Sequence, residues 1–187
     1  MRIVGGSLRG RPIASPQHES LRPTADRVRE SLFNILAHGV EGFALDGARV
    51  IDLFAGTGAL GLEAISRGAA FCLFVDNEAE ARALIRTNVE TFGLTGVTRI
   101  FRRDATDLGP VGTMAPFDIA FLDPPYGKGL GERALAALAE GRWLVPGAIV
   151  ALEERAGTTI ALPPAYAEFD RRTYGDTQII FGRFVGG

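Results

Sequence analysis

From residue 48 onward the chain alternates short apolar runs with helical patterns, and no other feature constrains the fold as tightly. Ala48–Phe54, Phe71–Val75, Thr98–Arg102, Phe117–Leu122 and Ala148–Glu153 are apolar, β-prone runs. Ala59–Arg67 reads as a helix closed by Gly68, and a second helix runs from Asn77 to about Phe92. Helical segments are expected between the later strands too, most clearly Gly131–Glu140. Short apolar strands separated by helices imply a parallel sheet covered on both faces. The end of the chain departs from this pattern. Ala167–Thr173 and Thr177–Phe184 flank Tyr174-Gly175-Asp176, which reads as an antiparallel hairpin.

The first forty residues are organised differently. Arg2–Val4 and Leu8–Ile13 read as extended pieces around Gly5-Gly6-Ser7, a hairpin signal. Residues 14–23 are polar with Pro16 and Pro23 and read as a loop. Thr24 can cap a helix that places Val28, Leu32, Ile35 and Leu36 on one face and ends near His38-Gly39. At roughly 150 residues per domain, 187 residues make one domain with a short appendage. The longest apolar stretch, Trp143–Leu152, falls well short of the roughly 20 residues of a membrane span. The single cysteine, Cys72, excludes an internal disulfide. His18 and His38 are expected at the surface, and no spacing of His, Asp and Glu resembles a metal site. A cytoplasmic protein, and a monomer, is the expectation.

Net charge is −2, but its distribution is uneven. Arg2, Arg9, Arg11, Arg22, Arg27 and Arg29 crowd the first 38 residues against Glu19, Asp26 and Glu30. A basic end on an acidic body is a possible nucleic-acid footprint, and equally an ordinary charged surface.

Two segments carry chemistry. Gly56-Thr57-Gly58-Ala59-Leu60-Gly61 is a G-x-G-x-x-G run directly after a strand and opening a helix, where glycines let a ligand approach the backbone. Asp76 ends the next strand, placed to accept both ribose hydroxyls of a nucleoside or to cap the helix from Asn77. The pair suits either a nicotinamide dinucleotide or S-adenosylmethionine. Asp52 favours the latter, because a carboxylate there attracts an ammonium group and repels a pyrophosphate. Asp104 is a third acid at a strand end, suited to an adenine amino group or to a turn. The second segment is Asp123-Pro124-Pro125-Tyr126, directly after Asp118–Leu122. Two prolines stop the strand and fix the turn. The Asp123 carboxylate and the Pro124 carbonyl then offer two acceptors to an exocyclic amino group, and Tyr126 offers a face on which a base can stack.

The order of these motifs resembles the class I S-adenosylmethionine-dependent amino-methyltransferases. More narrowly, Arg2-Ile3-Val4-Gly5-Gly6, Arg9-Gly10-Arg11, Arg22-Pro23-Thr24-Ala25-Asp26-Arg27-Val28-Arg29-Glu30, Asp52–Ala64 and Tyr174-Gly175-Asp176-Thr177 resemble the bacterial RsmD-type family, which methylates N2 of one guanine in 16S ribosomal RNA. The likeness runs over about residues 1–184. The family usually carries several lysines in its basic surface; here only Lys128 remains, with arginine in their place. The resemblance implies a Rossmann-like seven-stranded sheet of order 3-2-1-4-5-7-6 with strand seven antiparallel. It implies an RNA-binding unit over 1–40 and a methyltransferase domain over 41–187. Asp52, Phe54, Gly56, Thr57, Gly58, Asp76, Asn77, Asp104 and Ala105 would hold the cofactor. Asp123, Pro124 and Tyr126 would hold the base. Arg2, Arg9, Arg11, Arg22 and Arg27 would grip RNA, on free 16S rRNA or an assembling small subunit. Three other readings stay open: an amino-methyltransferase acting on another base, DNA adenine or a different RNA guanine; a nicotinamide oxidoreductase using the same glycine loop, which leaves Asp123-Pro124-Pro125-Tyr126 without a role; and a cofactor-binding assembly factor without catalysis.

Overall fold

The computed structural model describes residues 1–16 and 23–186. Arg22 and His18 lie outside the described residues. Seven strands form one sheet: β1 (Arg49–Leu53), β2 (Phe71–Val75), β3 (Thr98–Phe101), β4 (Phe117–Leu122), β5 (Leu144–Arg155), β6 (Tyr166–Tyr174) and β7 (Thr177–Phe184). Their spatial order is β3-β2-β1-β4-β5-β7-β6, parallel from β3 to β5, with β7 antiparallel to both its neighbours. The order and the antiparallel strand are those implied by the resemblance.

Side chains of a strand alternate between faces, and this alternation divides the core in two. Val50, Cys72, Phe74, Ile119 and Phe121 pack on one face, with helices α1 (Pro23–His38), α2 (Ala59–Ser66) and α3 (Ala79–Thr91). Ile51, Leu53, Leu73, Val75, Ala120 and Leu122 pack on the other, with α4 (Leu130–Glu140). Ile3 and Ile13 from the N-terminal segment, with Leu32 and Phe33 of α1, belong to the first core, continuous with the sheet.

Three details differ from the sequence reading. The N-terminal pairing is a single bridge, Arg2 to Pro12, and the turn spans Gly5–Gly10. Strand β5 begins at Leu144, four residues earlier than its apolar pattern, because Trp143 and Leu144 extend the pairing with β4 across a bulge. No helix joins β3 to β4 or β5 to β6. Gly109, Pro110, Gly112 and Pro116 break any helix in the first of these connections. That part of the sheet is covered by side chains instead. Trp143 stacks on Phe117, and Arg103 lies over both Trp143 and Phe101.

Candidate functional site: an acidic cleft at the carboxyl ends of the strands

In a parallel sheet the loops leaving the carboxyl ends of the strands meet at the point where strand order reverses, here between β1 and β4. The glycine loop follows β1 and the Asp-Pro-Pro-Tyr turn follows β4. Both line one cavity of about 1440 Å³, together with Asp76, Asp104, Glu153, the Tyr174–Thr177 turn and the inner face of α1.

Local geometry explains the glycine loop. The chain leaves β1 through Phe54, which holds φ 56° in the left-handed region, and continues through Gly56 at φ 59° and Gly58 at φ 82°. A non-glycine residue in that region costs roughly 1–2 kcal/mol, strain of the kind that collects at binding sites. Gly56 donates its N–H to Asp76 Oδ2 at 2.9 Å, and Asp76 Oδ1 accepts the Glu78 N–H at 2.9 Å. Asp76 therefore ties the loop to the start of α3, whose N-cap is Glu78 rather than Asp76. Phe54, Gly56, Thr57, Asp76 and Asn77 line the cavity. Gly58 and Ala105 do not. A Cβ on Gly58 would meet Phe74 at 3.2 Å and Ile85 at 3.4 Å, so this glycine permits close packing of the loop on the core. Ala105 is buried in the core on the α4 face of the sheet.

Electrostatics separate the carboxylates. Asp52 is 1% exposed and accepts the Gly61 N–H at 3.0 Å. Burial raises its pKa to about 8; the Gly61 bond opposes this and the Asp76 charge adds to it. Asp104 is held low by the Thr106 hydroxyl at 2.7 Å and the Thr106 N–H at 2.8 Å. Asp123 is pushed well up, first by the protein packed around it and then by the Glu153 carboxylate. Its side chain is exposed to the cavity whereas Asp52 is enclosed, so burial acts on it less than on Asp52 and the neighbouring Glu153 carboxylate supports the same direction. Among the described residues, Arg29 is the sole Arg, Lys or His side chain lining the cavity, and its guanidinium is already bonded to Glu63, Asp26 and the Arg2 carbonyl. The cavity interior is therefore strongly acidic.

The tetrad is gripped from β5 and β7. Tyr126 Oη bonds Glu153 Oε1 at 3.1 Å and Thr177 Oγ1 at 3.0 Å, and the Gly127 N–H reaches Glu154 Oε1 at 3.1 Å. Burial raises the Tyr126 pKa to about 12, so the phenol stays neutral. Pro124 is buried under the turn. Glu153 and Thr177 had no role in the sequence reading. The signal for Glu153 was the one used for Asp76 and Asp104, an acid at the end of an apolar strand.

The N-terminal segment is fastened to this site. Glu63, fully buried in α2, accepts the N–H groups of Val4 and Gly5, each at 2.9 Å, and pairs with Arg29 at 3.1 Å and Arg67 at 2.9 Å. Asn88 of α3 bonds both the N–H and the carbonyl of Ala14, and donates to the Thr57 carbonyl in the glycine loop. Arg29 is thus an internal ion-pair residue. Arg2, Arg9, Arg11 and Arg27 are exposed, although Arg11 also lies over the Phe92 ring and bonds the Thr91 carbonyl.

Among the described residues no group of His, Cys, Asp and Glu is placed to hold a metal ion, and no helix is long and apolar enough to cross a membrane.

Residues 1–183 match the family model described as conserved hypothetical protein 95. The chain is 37% identical over 166 residues to ribosomal RNA small subunit methyltransferase D of Escherichia coli K12, covering 88% of this chain and 80% of that protein. It is 36% identical over 185 residues to YlbH of Bacillus subtilis, covering 96% of each. The solved structure of yhhF from Escherichia coli superimposes with a TM-score of 0.84 at 31% identity, covering 100% of this chain and 99% of that one.

Proposed function

The chain belongs to this RsmD-type methyltransferase family, and from that premise we propose that it transfers a methyl group from S-adenosylmethionine to the exocyclic N2 of a guanine in bacterial 16S ribosomal RNA. The observation that carries the reading is the convergence of the glycine loop and the Asp-Pro-Pro-Tyr turn on one acidic cavity. A sulfonium ligand with an ammonium group suits such a cavity. A dinucleotide suits it less, because its pyrophosphate would face the Asp76 and Glu153 carboxylates, and the guanidinium that lines the cavity, Arg29, is already paired.

In this reading Asp52 faces the ammonium group, Gly56 and Thr57 line the methionine part, and Phe54 walls it. Asp76 and Asn77 meet the ribose, and Asp104, with the backbone at Ala105, meets the adenine. Bound S-adenosylmethionine supplies an electrophilic methyl group, so the protein need not activate the donor. Its task is to present the amine. The guanine must leave its stack to enter the cleft. Tyr126 stacks the base, held upright by Glu153 and Thr177. In its ionised form, which the raised pKa makes more basic, Asp123 accepts one amino hydrogen and the Pro124 carbonyl the other, which stabilises positive charge as it develops on N2. N2, on accepting the methyl group, would have one proton to shed. Asp123 takes it and releases it to solvent, to which its side chain is exposed. Arg2, Arg9, Arg11, Arg22 and Arg27 hold the RNA outside the cleft.

Asp123→Ala removes both the acceptor and the proton sink while leaving the glycine loop untouched. Methyl transfer to small ribosomal subunits should fall at least about 100-fold, with affinity for S-adenosylhomocysteine within about twofold of wild type. Near-normal turnover in this variant contradicts the assignment.

A further inference from the structure

The cleft is acidic inside, yet two cations stand on its rim beside the tetrad. Lys128, the chain's one lysine, follows Tyr126 by two residues. It lies between Gly127 at φ 76° and Gly129 at φ 67°. A Cβ on either glycine would meet nothing within 4 Å, so these glycines serve the path of the loop and not close packing. That path carries Lys128 outward, where it is exposed. Arg155 ends β5, also exposed, and its guanidinium lies 5.9 Å from the centre of the Tyr126 ring. Neither residue joins an ion pair among the described residues. The arginines of the N-terminal segment and α1 belong to a different part of the chain, whose inner face forms another wall of the cavity.

We propose that Lys128 and Arg155 form a second phosphate clamp, which holds the RNA backbone flanking the extruded base on the tetrad side of the cleft. The proposal rests on the reading that RNA is the substrate. An extruded base is joined to a phosphate on each side, and both must pass a cleft mouth whose interior carries Asp123, Glu153 and Asp176. Without cations on this side, the flanking backbone would be repelled where the base has to be placed. Arg155 answers a second requirement. Its guanidinium rests over the ring on which the base is to stack, so it can swing to a phosphate or close over the base on Tyr126. The long, exposed side chains of both residues permit either movement without disturbing the sheet.

The test measures binding of small ribosomal subunits from cells lacking this protein, across a salt series, to wild type and to a double variant, Lys128→Gln with Arg155→Gln. Each lost phosphate contact lowers the slope of log affinity against log salt by about 0.7 on single-stranded RNA. The double variant should lose about 1.4 from the slope and bind more weakly at low salt, with S-adenosylhomocysteine affinity unchanged. Arg155→Lys paired with wild-type Lys128 should restore the slope, which a purely structural role for Arg155 over Tyr126 would not require. An unchanged slope, with wild type binding and methylating normally, overturns the clamp and leaves the methyltransferase reading intact. A wild type that neither binds nor methylates the subunit overturns both.

Discussion

Asp52 makes a quantitative demand on cofactor binding. With a pKa of about 8, the buried carboxyl is about 90% protonated at pH 7 in the free protein. The ammonium group of the ligand, placed against it as proposed, favours the carboxylate and returns its pKa to the ordinary carboxylate range, so that the bound carboxyl is ionised at pH 6 and above. Binding S-adenosylmethionine should therefore release about 0.9 proton at pH 7 and about 1.0 at pH 6. By the same linkage, affinity should rise about ninefold between pH 6 and pH 7 and level off above pH 8. Calorimetric titration in two buffers of different ionisation enthalpy reads the proton count directly. In Asp52→Asn the buffer dependence should vanish and affinity should fall. A binding enthalpy identical in all buffers for wild type would refute the pairing of Asp52 with a cation.

Stability of the free protein should depend on the same residue. The carboxyl has a pKa of 3.8 when unfolded and about 8 when folded, so the folded state holds the extra proton. Its contribution is complete below pH 4 and is lost as pH rises towards 8; Asp52→Asn should flatten that decline in urea unfolding, and an unchanged pH dependence would count against the raised pKa. Glu63→Gln leaves Arg29, 5% exposed, without its buried charge partner, a loss of about 3–5 kcal/mol. The melting temperature should fall by roughly 10 °C, and a drop of less than about 2 °C would show the network to be unimportant. Gly61→Ala drives a Cβ to 2.5 Å from both Cys72 Sγ and Phe74, an overpacking cost of about 1–3 kcal/mol visible in urea unfolding. Arg9→Ala should lower the salt slope of RNA binding without a change in melting temperature. Arg11→Ala should change both, because its guanidinium also covers Phe92.

The elements that could be read from the sequence were those whose signal is local. Phe71–Val75, Phe117–Leu122 and Thr177–Phe184 have the same limits in the structure as in their apolar patterns, because glycine, proline or aspartate bounds each of them. The tetrad was legible because two prolines halt a buried strand and leave an acid at its end. What the sequence hid was pairing at a distance. Arg29 counts as one more N-terminal cation by charge, yet its partner Glu63 is 34 residues away inside an otherwise apolar helix. A lone acid in such a helix was the available sign. Glu153 and Thr177 meet Tyr126 only because β5 and β7 are neighbours in the sheet. Gly58 fits the ligand-binding spacing, but its surroundings assign it to packing against Phe74. The stretch before β4 looked like another helical crossover by analogy with its neighbours, although its own glycines and prolines argued otherwise.

The reaction proposed for the acidic cleft is methyl transfer to a guanine amino group. Small ribosomal subunits from cells lacking the protein, incubated with it and methyl-labelled S-adenosylmethionine, then digested to nucleosides and resolved by mass, test it most directly. Label is expected in N2-methylguanosine, reduced at least about 100-fold with Asp123→Ala. Label confined to another nucleoside would contradict the placement of the guanine amino group between Asp123 and Pro124.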